Sequence, residues 1–466
     1  MQEKYTDFIQ KFKNKKIMFC GLGRSNIPFI NILTDEKIKV IVYDSQEEKN
    51  FDKQLINNFK NNSYIDFRLA DETVWNENLD IIVRSPGVNF LLNKITNARG
   101  KGAIITSEME IFFDLCPCRI IGITGSDGKT TVTTIISEIL KNEGFKVHLG
   151  GNIGNPLLPK IKSIKKEDIA VVELSSFQLI SMRKSPDMAV ITNISPNHLD
   201  VHKDMDEYTD AKKQIIFHQN AFSKATLNFD NIETQKMNDD VRGKLIFFSR
   251  KEKLENGIWV DENKDIIFSS NRENQKIINT SEIKLPGKHN LENYLAAIAC
   301  IHDLVSIKSI KTVANSFAGV PHRIEFVKDF NGVSYYNDSI ASSPNRTING
   351  TLSLFGQKII LIAGGYDKKI PFDSLAKEII KKVSILILMG ATAGKIENEI
   401  IKLKYYNKEK LTIIKVSSMK DAVNKASQHS KTGDIVVLSP ACASFDLYKD
   451  FEERGNQFKT LVNNLK

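Results

Sequence analysis

One glycine-rich segment constrains the fold more than any other part of this 466-residue sequence, because it lies between an apolar run and a helix-like run. The segment is Thr124-Gly125-Ser126-Asp127-Gly128-Lys129-Thr130-Thr131. Such a strand–loop–helix turn gathers backbone N–H groups where phosphates bind, and its lysine and threonine can reach terminal phosphates and Mg²⁺. The usual pattern has glycine five residues before Gly128, where this chain has Ile123, so the loop is a P-loop variant.

A second glycine turn near the N-terminus indicates another nucleotide-binding unit. The apolar run 17–20 predicts a strand, which is followed by Gly21-x-Gly23-x-x-Asn26 and, after a helix-like stretch, by the strand 40–43. Asp44 follows that strand, at the position where a ribose hydroxyl is often held. Because Asn26 replaces the third glycine of the dinucleotide fingerprint, the turn predicts a nucleotide-diphosphate site that need not bind NAD. A purely structural turn is the alternative.

Apolar strands and helix-like stretches alternate to the C-terminus and predict an α/β fold of three domains. The expected domains are a Rossmann-like domain at 1–112, a P-loop-type central domain at 113–318 and a Rossmann-like domain at 319–466. The polar, strand-like stretch from about 225 to 285 is expected to be antiparallel material at the edge of the central sheet.

Composition narrows the functional classes. Hydrophobic residues make up 41% of the chain, yet no apolar run approaches the ~18 residues that span a bilayer. The polar N-terminus lacks the apolar region of a signal peptide, so a cytoplasmic location is expected. Five scattered cysteines argue against a disulfide framework or a zinc site. The net charge of +9 comes mainly from dispersed lysines, which predicts no nucleic-acid binding.

Polar residues follow two apolar strands of the central region. Glu173 follows the strand 169–172, and a carboxylate at such a strand end commonly points into a ligand crevice. Beside phosphates held by Lys129, Glu173 is a natural Mg²⁺ ligand. His198 lies in the segment 192–200 after another strand and could be a second metal ligand. The alternatives are a surface position for Glu173 and a structural or surface role for His198.

Together these segments resemble the Mur ligase family, in order and over nearly the whole chain. The loop 124–131 resembles its ATP loop, ELSSFQL at 173–179 its metal-glutamate segment, and TNISPNHLD at 192–200 its central histidine segment. HNLEN at 289–293 resembles its adenine-side segment, and PHRIE at 321–325 and YNDS at 336–339 resemble the start of its third domain. ELSSFQL and SPACASFDLYKDFEERG at 439–455 resemble most closely the branch that adds D-glutamate.

The resemblance implies an ATP-dependent acid–amino-acid ligase, expected as a monomer, with ATP, UDP-N-acetylmuramoyl-L-alanine and D-glutamate as its substrates. It implies an acyl-phosphate intermediate, two Mg²⁺ ions and a lysine carbamylated by CO₂ that acts as a carboxylate-like metal ligand. The matching segment is Tyr208-Thr209-Asp210-Ala211-Lys212, which makes Lys212 the candidate and leaves the adjacent Lys213 as the alternative.

The resemblance also assigns site residues, position by position. Those expected to be catalytic are Lys129, His198 and Lys212. The ATP site is expected to include Gly125, Ser126, Asp127, Gly128, Lys129, Thr130, Thr131, Asn290, Asn293, Arg323 and Asp338. The UDP-sugar site is expected to include Gly23, Arg24, Ser25, Asp44, Ser45, Ser85, Gly87, Asn152 and His198. D-Glutamate is assigned to Ser342, Lys368, Ser444 and Phe451, and the metal ions to Thr130, Glu173, His198 and Lys212.

The chain departs from the family pattern at two positions. Ile340 stands where many relatives have a lysine after Asn-Asp-Ser, and Asn197 replaces a common acidic residue before His198. Three rival functions are a Mur-type amide ligase for another amino acid, a NAD-dependent dehydrogenase built on the first glycine turn, and a nucleotide-binding protein without turnover. The dehydrogenase leaves the Lys129 loop unexplained, and Glu173, His198 and Lys212 argue against a protein without turnover.

Overall fold

The N-terminal sheet is built from short apolar runs that alternate with helices. The computed structural model of the protein describes residues 2–196, 201–271, 273–285, 287–367 and 370–465. Within these ranges the strands form three sheets, of which the first has the order β3-β2-β1-β4-β5 with all neighbours parallel. Its elements are α1 (Gln2–Gln10), β1 (Ile17–Cys20), α2 (Asn26–Asp35), β2 (Val40–Asp44), α3 (Lys53–Lys60), β3 (Ile65–Leu69), β4 (Ile81–Arg84), α4 (Asn93–Gly100), β5 (Ile104–Thr106) and α5 (Glu108–Leu115).

The central sheet carries the glycine-rich loop at the end of an interior strand. Its order is β14-β13-β12-β11-β10-β9-β6-β8-β7. The elements are β6 (Arg119–Thr124), α6 (Lys129–Glu143), β7 (Val147–Gly151), β8 (Ile169–Glu173), α7 (Ser176–Leu179), β9 (Met188–Ile191), α8 (Met205–Phe217), β10 (Lys224–Asn228), α9 (Ile232–Gln235), β11 (Lys244–Ser249), β12 (Gly257–Val260), β13 (Asp265–Ser270), β14 (Glu273–Asn279), α10 (Lys288–Ile301) and α11 (Ile307–Ser316). The strands β6, β8 and β9 are almost wholly buried, as expected for a parallel sheet with helices on both faces.

The prediction that the whole stretch 225–285 is antiparallel is wrong for its first half. β10, β11 and β12 extend the sheet in parallel, and the antiparallel pairs are β12 with β13 and β13 with β14. The helix α9 and a following helical turn connect β10 to β11, and a connection of this kind returns the chain to the same end of the sheet. The strand content and the edge position were predicted, whereas the pairing direction was not.

The C-terminal sheet repeats the pattern of parallel strands with an antiparallel edge. Its order is β15-β16-β20-β17-β18-β19, and only the pair β15–β16 among these described strands is antiparallel. The elements are β15 (Glu325–Phe330), β16 (Val333–Asn337), α12 (Pro344–Arg346), β17 (Ile359–Ala363), α13 (Asp373–Lys382), β18 (Val383–Leu388), α14 (Ala393–Ile401), β19 (Thr412–Lys415), α15 (Met419–His429), β20 (Ile435–Leu438) and α16 (Phe451–Asn463). Two apolar clusters cover this sheet, one of them built on Leu361 and Leu388 and the other on Ile360 and Phe458.

One contiguous cluster of buried apolar side chains joins the first two sheets. It runs from Phe8 and Phe29 in the N-terminal helices through Leu158 to Met237 in the central region. The chain accordingly divides into two compact units, Met1–Phe317 and Ala318–Lys466. The expected α/β architecture with Rossmann-like first and third sheets and a P-loop-type central sheet is confirmed, and the boundaries 1–112, 113–318 and 319–466 stay a prediction. No helix in the described ranges is long and apolar enough to cross a membrane.

We expect the aromatic centre of this shared cluster to be a large contributor to stability. Phe29 is fully buried, and its ring lies 5.2 Å from Phe19, 5.7 Å from Phe12 and 6.2 Å from Phe8 between centroids. Phe29→Ala should lower the free energy of unfolding by about 3–5 kcal/mol, because it leaves a cavity that these rings cannot fill. Urea unfolding followed by circular dichroism measures the loss, and Phe222→Ala at a fully exposed ring is the control. A loss below about 1 kcal/mol for Phe29→Ala would contradict this account of the core.

Candidate active site

The glycine-rich loop is shaped by close contacts with neighbouring segments. Gly128 is in the left-handed region, with φ of 78°, and a Cβ there would overlap the Asn293 Oδ1 atom. The backbone N–H of Asp127 donates to Asn193 Oδ1 at 3.0 Å, and the Thr192 hydroxyl donates to the Asp127 carbonyl at 2.5 Å. Residues that follow β9 therefore brace the loop, and glycine is required where α10 approaches it.

Lys129 begins α6 and folds its side chain back over the loop. Its Nζ donates to the carbonyls of Gly125 and Ser126, both at 2.9 Å. Thr130 is buried directly after it, and the Ser126 hydroxyl contacts the Tyr208 hydroxyl at 3.0 Å. The loop therefore presents a cation and several backbone N–H groups at the N-terminus of a 15-residue helix, which is an arrangement suited to phosphates.

Glu173 is the last residue of β8 and is only 1% exposed. Its Oε1 accepts from Asn152 Nδ2 at 2.8 Å, whereas its Oε2 is buried and has no hydrogen-bond partner among the described residues. A buried carboxylate oxygen without a partner is costly, and a hard cation such as Mg²⁺ would satisfy it. The donor chemistry at Glu173 therefore fits the predicted metal, and its surface alternative is wrong.

Lys212 lies on α8 and is also buried, at 2% exposure. Its Nζ donates to the Gly125 carbonyl at 2.8 Å and to Thr124 Oγ1 at 3.4 Å, and it lies 4.7 Å from the centroid of the Tyr208 ring. Burial and the Lys129 ammonium hold the pKa of the Lys212 amine well below its ordinary value, against the opposing attraction of Glu173. The Lys212 side chain thus reaches the loop as an amine that loses its proton readily.

The neighbouring Lys213 points elsewhere. Its side chain is 28% exposed, and its Nζ pairs with Asp240 Oδ2 at 2.6 Å. Lys212 and Lys129 both donate to the same Gly125 carbonyl, which brings two lysine nitrogens to one side of the loop. Of the two lysines, Lys212 is the one brought to the glycine-rich loop.

A complete metal site is not visible in the described ranges, where no group of three or more His, Cys, Asp or Glu side chains could hold an ion. The predicted ligand His198 and its neighbour Asn197 lie outside the described residues. Lys212 would count as an oxygen ligand only as a carbamate. The residues that could contribute to holding Mg²⁺ are therefore Thr130, Glu173 and, once modified, Lys212.

The first glycine turn is held by the residues that follow it. Asp44 Oδ2 accepts from the backbone N–H of Leu22 at 2.8 Å, and Asn26 Nδ2 donates to the Gly21 carbonyl at 2.9 Å. Arg24 is exposed and donates to the Gly154 carbonyl. Asn26 therefore anchors the turn at the position where the dinucleotide fingerprint has a glycine.

The remaining residues predicted for the UDP-sugar lie around this turn or beside Glu173. Ser25 and Ser45 follow Arg24 and Asp44 in the chain, and Ser85 is buried against Gly23, where an added Cβ would overlap its hydroxyl. Gly87 lies in the same loop, two residues after Ser85, and Asn152 bonds Glu173. The structure thus brings residues from both sheets of the first unit toward the turn.

The ATP residues predicted beyond the loop divide between the two units. Asn290 and Asn293 lie on α10 and are joined by a hydrogen bond of 3.2 Å, with Asn293 next to Gly128. Arg323 and Asp338 belong to the second unit. Asp338 is buried, accepts from the Thr351 hydroxyl at 2.7 Å and from the Ser439 hydroxyl at 3.0 Å, and has a pKa raised by burial to about 6. These contacts give Asp338 a role in holding the ends of β16 and β20 together.

The residues predicted for D-glutamate follow neighbouring strands of the C-terminal sheet. Ser342 follows β16 and Ser444 follows β20, while Phe451 begins α16 and accepts from the Ser339 hydroxyl at 2.8 Å through its carbonyl. Ser444 is 2% exposed. Lys368 lies outside the described residues. Because β16 and β20 are adjacent and parallel, their carboxyl ends place Ser342 and Ser444 at one edge of the sheet.

Three supporting residues were missed from the sequence. The buried Arg454 donates to the carbonyls of Ser339, Cys442 and Ala443 and so ties the loops after β16 and β20. His202 bonds Ser176 Oγ at 2.9 Å and Glu207 Oε1 at 3.0 Å, and thereby joins α7 to α8. The third, Arg84, reaches from the first sheet to α7. Each of the three residues bonds at least one partner more than 25 positions away in the sequence. No local pattern therefore signals its role.

Comparison with known proteins agrees with this geometry. The family model described as the Mur ligase middle domain matches residues 123–301, and that described as the Mur ligase, glutamate ligase domain, matches residues 322–442. The chain is 47% identical to the UDP-N-acetylmuramoylalanine–D-glutamate ligase of Acetivibrio thermocellus and 46% identical to that of Clostridium tetani, with 100% of both chains covered in each case. The fold is similar to that of UDP-N-acetylmuramate-alanine ligase from Thermotoga maritima, with a TM-score of 0.54 and 16% identity over 97% of this chain and 100% of that one. The chain therefore belongs to the Mur ligase family.

Proposed function

We propose that this protein ligates D-glutamate to UDP-N-acetylmuramoyl-L-alanine at the expense of ATP, giving ADP and phosphate, in the cytoplasmic synthesis of peptidoglycan precursors. Full-length identity of 44–47% to curated relatives that carry this activity in their names is the observation that carries the proposal. The convergence of Lys129, Lys212 and Glu173 at one end of the central sheet supports it, because phosphoryl transfer requires positive charge and metal ligands at the same place. A monomeric state stays a prediction.

In the first step, the alanine carboxylate of the UDP-sugar attacks the γ-phosphorus of ATP, and an acyl phosphate and ADP are formed. The backbone N–H groups of the loop 125–130 would hold the phosphates, and the Lys129 ammonium would offset the negative charge that develops on the transferring group. To do so, the Lys129 ammonium must give up its hydrogen bonds to the carbonyls of Gly125 and Ser126. Those carbonyls are neutral acceptors, whereas the phosphates are anionic.

In the second step, the amine of D-glutamate attacks the acyl carbon and expels phosphate. Ser444 and Lys368 are proposed to hold the D-glutamate carboxylates, by a hydrogen bond and by an ion pair. Phe451 is proposed to line the same site, with Ser342 beside it. Two Mg²⁺ ions, held by Thr130, Glu173, His198 and carbamylated Lys212, would supply positive charge that polarises the phosphoryl and acyl-phosphate oxygens.

The choice of amino acid tests the proposal. With ATP and UDP-N-acetylmuramoyl-L-alanine present, phosphate release should be faster with D-glutamate than with L-glutamate, L-alanine or a diamino acid, by on the order of 100-fold or more. The physical reason is that a buried polar site leaves its groups unpaired when the wrong substrate enters. Omission of the UDP-sugar provides the background rate. Equal or faster release with another amino acid would place the protein in a different branch of the family.

A further inference from the structure

Arg84 is a buried cation that the proposed chemistry does not use. It ends β4, is only 1% exposed, and is among the largest fully buried side chains of the described chain. Its guanidinium group donates in two directions. Nη1 donates to the Val88 carbonyl at 2.7 Å, and Nη2 donates to the Phe177 carbonyl at 2.7 Å and to the Ser181 hydroxyl at 3.1 Å. One side chain thus joins the first sheet to α7 of the central region.

On one side, Arg84 holds the loop that packs on the first glycine turn. Besides Val88, its Nη1 lies 3.4 Å from the carbonyls of Ser85 and Pro86. A Cβ at Gly21 would lie 2.8 Å from Ser85 Cβ and 2.9 Å from Val88 Cγ2, so the turn and the loop are in direct contact. A ligand that shifts the turn must therefore shift the loop that Arg84 holds.

On the other side, Arg84 holds the segment that follows Glu173. The carbonyl that Arg84 binds belongs to Phe177, which lies four residues after Glu173 in the sequence. The Phe177 ring stacks on His202 with 5.3 Å between centroids and 4° between planes, and His202 bonds Glu207 on the helix that carries Lys212. Arg84 is thus joined to the backbone next to Glu173, the proposed metal ligand, by its hydrogen bond to Phe177, and to the helix that carries Lys212 by the stacked ring.

One carboxyl group, that of Glu110, lies near Arg84 on the far side of Ser181. Ser181 accepts from Arg84 and lies 3.4 Å from Glu110 Oε2, to which it donates, and the Ser107 hydroxyl donates to the same oxygen at 3.1 Å. Burial raises the pKa of the Glu110 carboxyl to about 7 and lowers that of the Arg84 guanidinium to about 10. The buried Nε of Arg84 has no hydrogen-bond partner among the described residues, so the guanidinium is held by its Nη1 and Nη2 contacts, and its displacement from them would leave a charge unsolvated.

We infer that Arg84 is a positioning residue that couples occupancy of the first glycine turn to the conformation of the Glu173 segment, so that nucleotide binding at each site tightens binding at the other. The inference rests on the proposed function for the identity of the two ligands. Arginine suits this role because its planar group reaches acceptors on opposite sides at once, whereas a lysine ends in a single nitrogen.

The test is a pair of calorimetric titrations on the full chain. UDP is titrated into the protein with and without saturating Mg²⁺ and ADP, and ADP is titrated with and without UDP. In the wild-type protein each ligand should lower the Kd of the other by the same factor, about fivefold or more, because coupling is reciprocal. In R84M/E110Q, which removes both buried charges together, and in R84K, which keeps the charge opposite Glu110, the factor should fall to about one.

The matched control is R99M. Arg99 is exposed and lies 5.6 Å from the centroid of the Phe90 ring, on which Arg84 also lies at 5.7 Å, and R99M should keep the wild-type factor. A wild-type factor of one, or an unchanged factor in either Arg84 variant, would overturn the inference. A purely structural role would weaken both ligands or lower the Tm while the factor stays the same, which also counts against it. Failure of the wild-type protein to bind UDP or ADP at all would instead refute the proposed function.

Discussion

Replacement of Lys212 by alanine is expected to lower the rate of ligation by roughly 10²–10³-fold, as loss of a group that acts on developing charge does in other active sites. A small carboxylic acid such as acetate should restore part of that rate. An ammonium beside Mg²⁺ would be repelled, whereas a carbamate supplies negative charge and hard oxygen donors. The Lys212 amine is buried and already faces a second cation, Lys129, so its neutral, CO₂-reactive form is favoured. Phosphate release as a function of acetate concentration measures the rescue.

Two matched variants make this result specific. Lys213→Ala removes an adjacent lysine whose partner is Asp240, and it should keep near-normal activity. Lys129→Ala lacks a cation, which an added carboxylic acid cannot replace. Full activity of Lys212→Ala without acid would end the carbamate hypothesis, as would a high-resolution density map of the active protein with an unmodified Lys212 remote from metal. If Lys213→Ala proved to be the variant that acetate rescues, the chemistry would stand on the neighbouring residue.

Lys129→Ala is expected to abolish ATP-dependent ligation, with a loss on the order of 10³-fold, while the fold is retained. In the resting loop its ammonium binds the carbonyls of Gly125 and Ser126, and the Gly125 carbonyl also accepts from Lys212, so the variant keeps part of this bonding and the fold should persist. The first turn of α6 has no other described side chain with a positive charge. In the variant, the negative charge of the transferring phosphoryl group therefore lacks the offset that Lys129 would supply. Coupled measurement of ADP formation gives the rate, and circular dichroism checks the fold.

Lys141 provides the control for this variant. It lies on the same helix and pairs with Glu138 at 2.8 Å, one turn away, with both side chains more than 40% exposed. Lys141→Ala should change neither ligation nor stability appreciably, since exposed pairs of this kind contribute about 0–1 kcal/mol. Turnover near the wild-type rate in Lys129→Ala would rule out the assignment of this loop to ATP.

Much of the fold could be predicted because apolar runs and glycine-rich turns indicate strands and loops from the local sequence. The strand β1 was predicted with its observed bounds, and a helix, α6, follows the glycine-rich loop as expected. The strand that precedes the segment 192–200 ends at Ile191, because Thr192 and Asn193 turn to bond the glycine-rich loop. That ending depends on a partner more than 60 residues away, and apolar periodicity carries no information about it.

The candidate site shows the same division between local and distant signals. Glu173 could be proposed as a ligand because parallel strands bring their carboxyl ends to one edge. The unpartnered Oε2 atom and the burial of Lys212 follow only from packing. Arg84 and Arg454 each donate hydrogen bonds to backbone carbonyls of distant segments. Because every residue has a backbone carbonyl, the sequence around these acceptors gives no sign of the contact. Residues whose function is to hold backbone are thus the ones that sequence patterns reveal least.

The apolar cluster that joins the first two sheets has a consequence for co-translational folding. Its members extend from Tyr5 to Met237, so the N-terminal strands can pair early but their shared face has no cover until the central region has been made. At ordinary rates of translation, the interval between residues 112 and 237 lasts roughly ten seconds. During that time the part of α2 that contacts residues 158–163 in the folded protein stays uncovered, and we expect chaperones that bind apolar segments to occupy it.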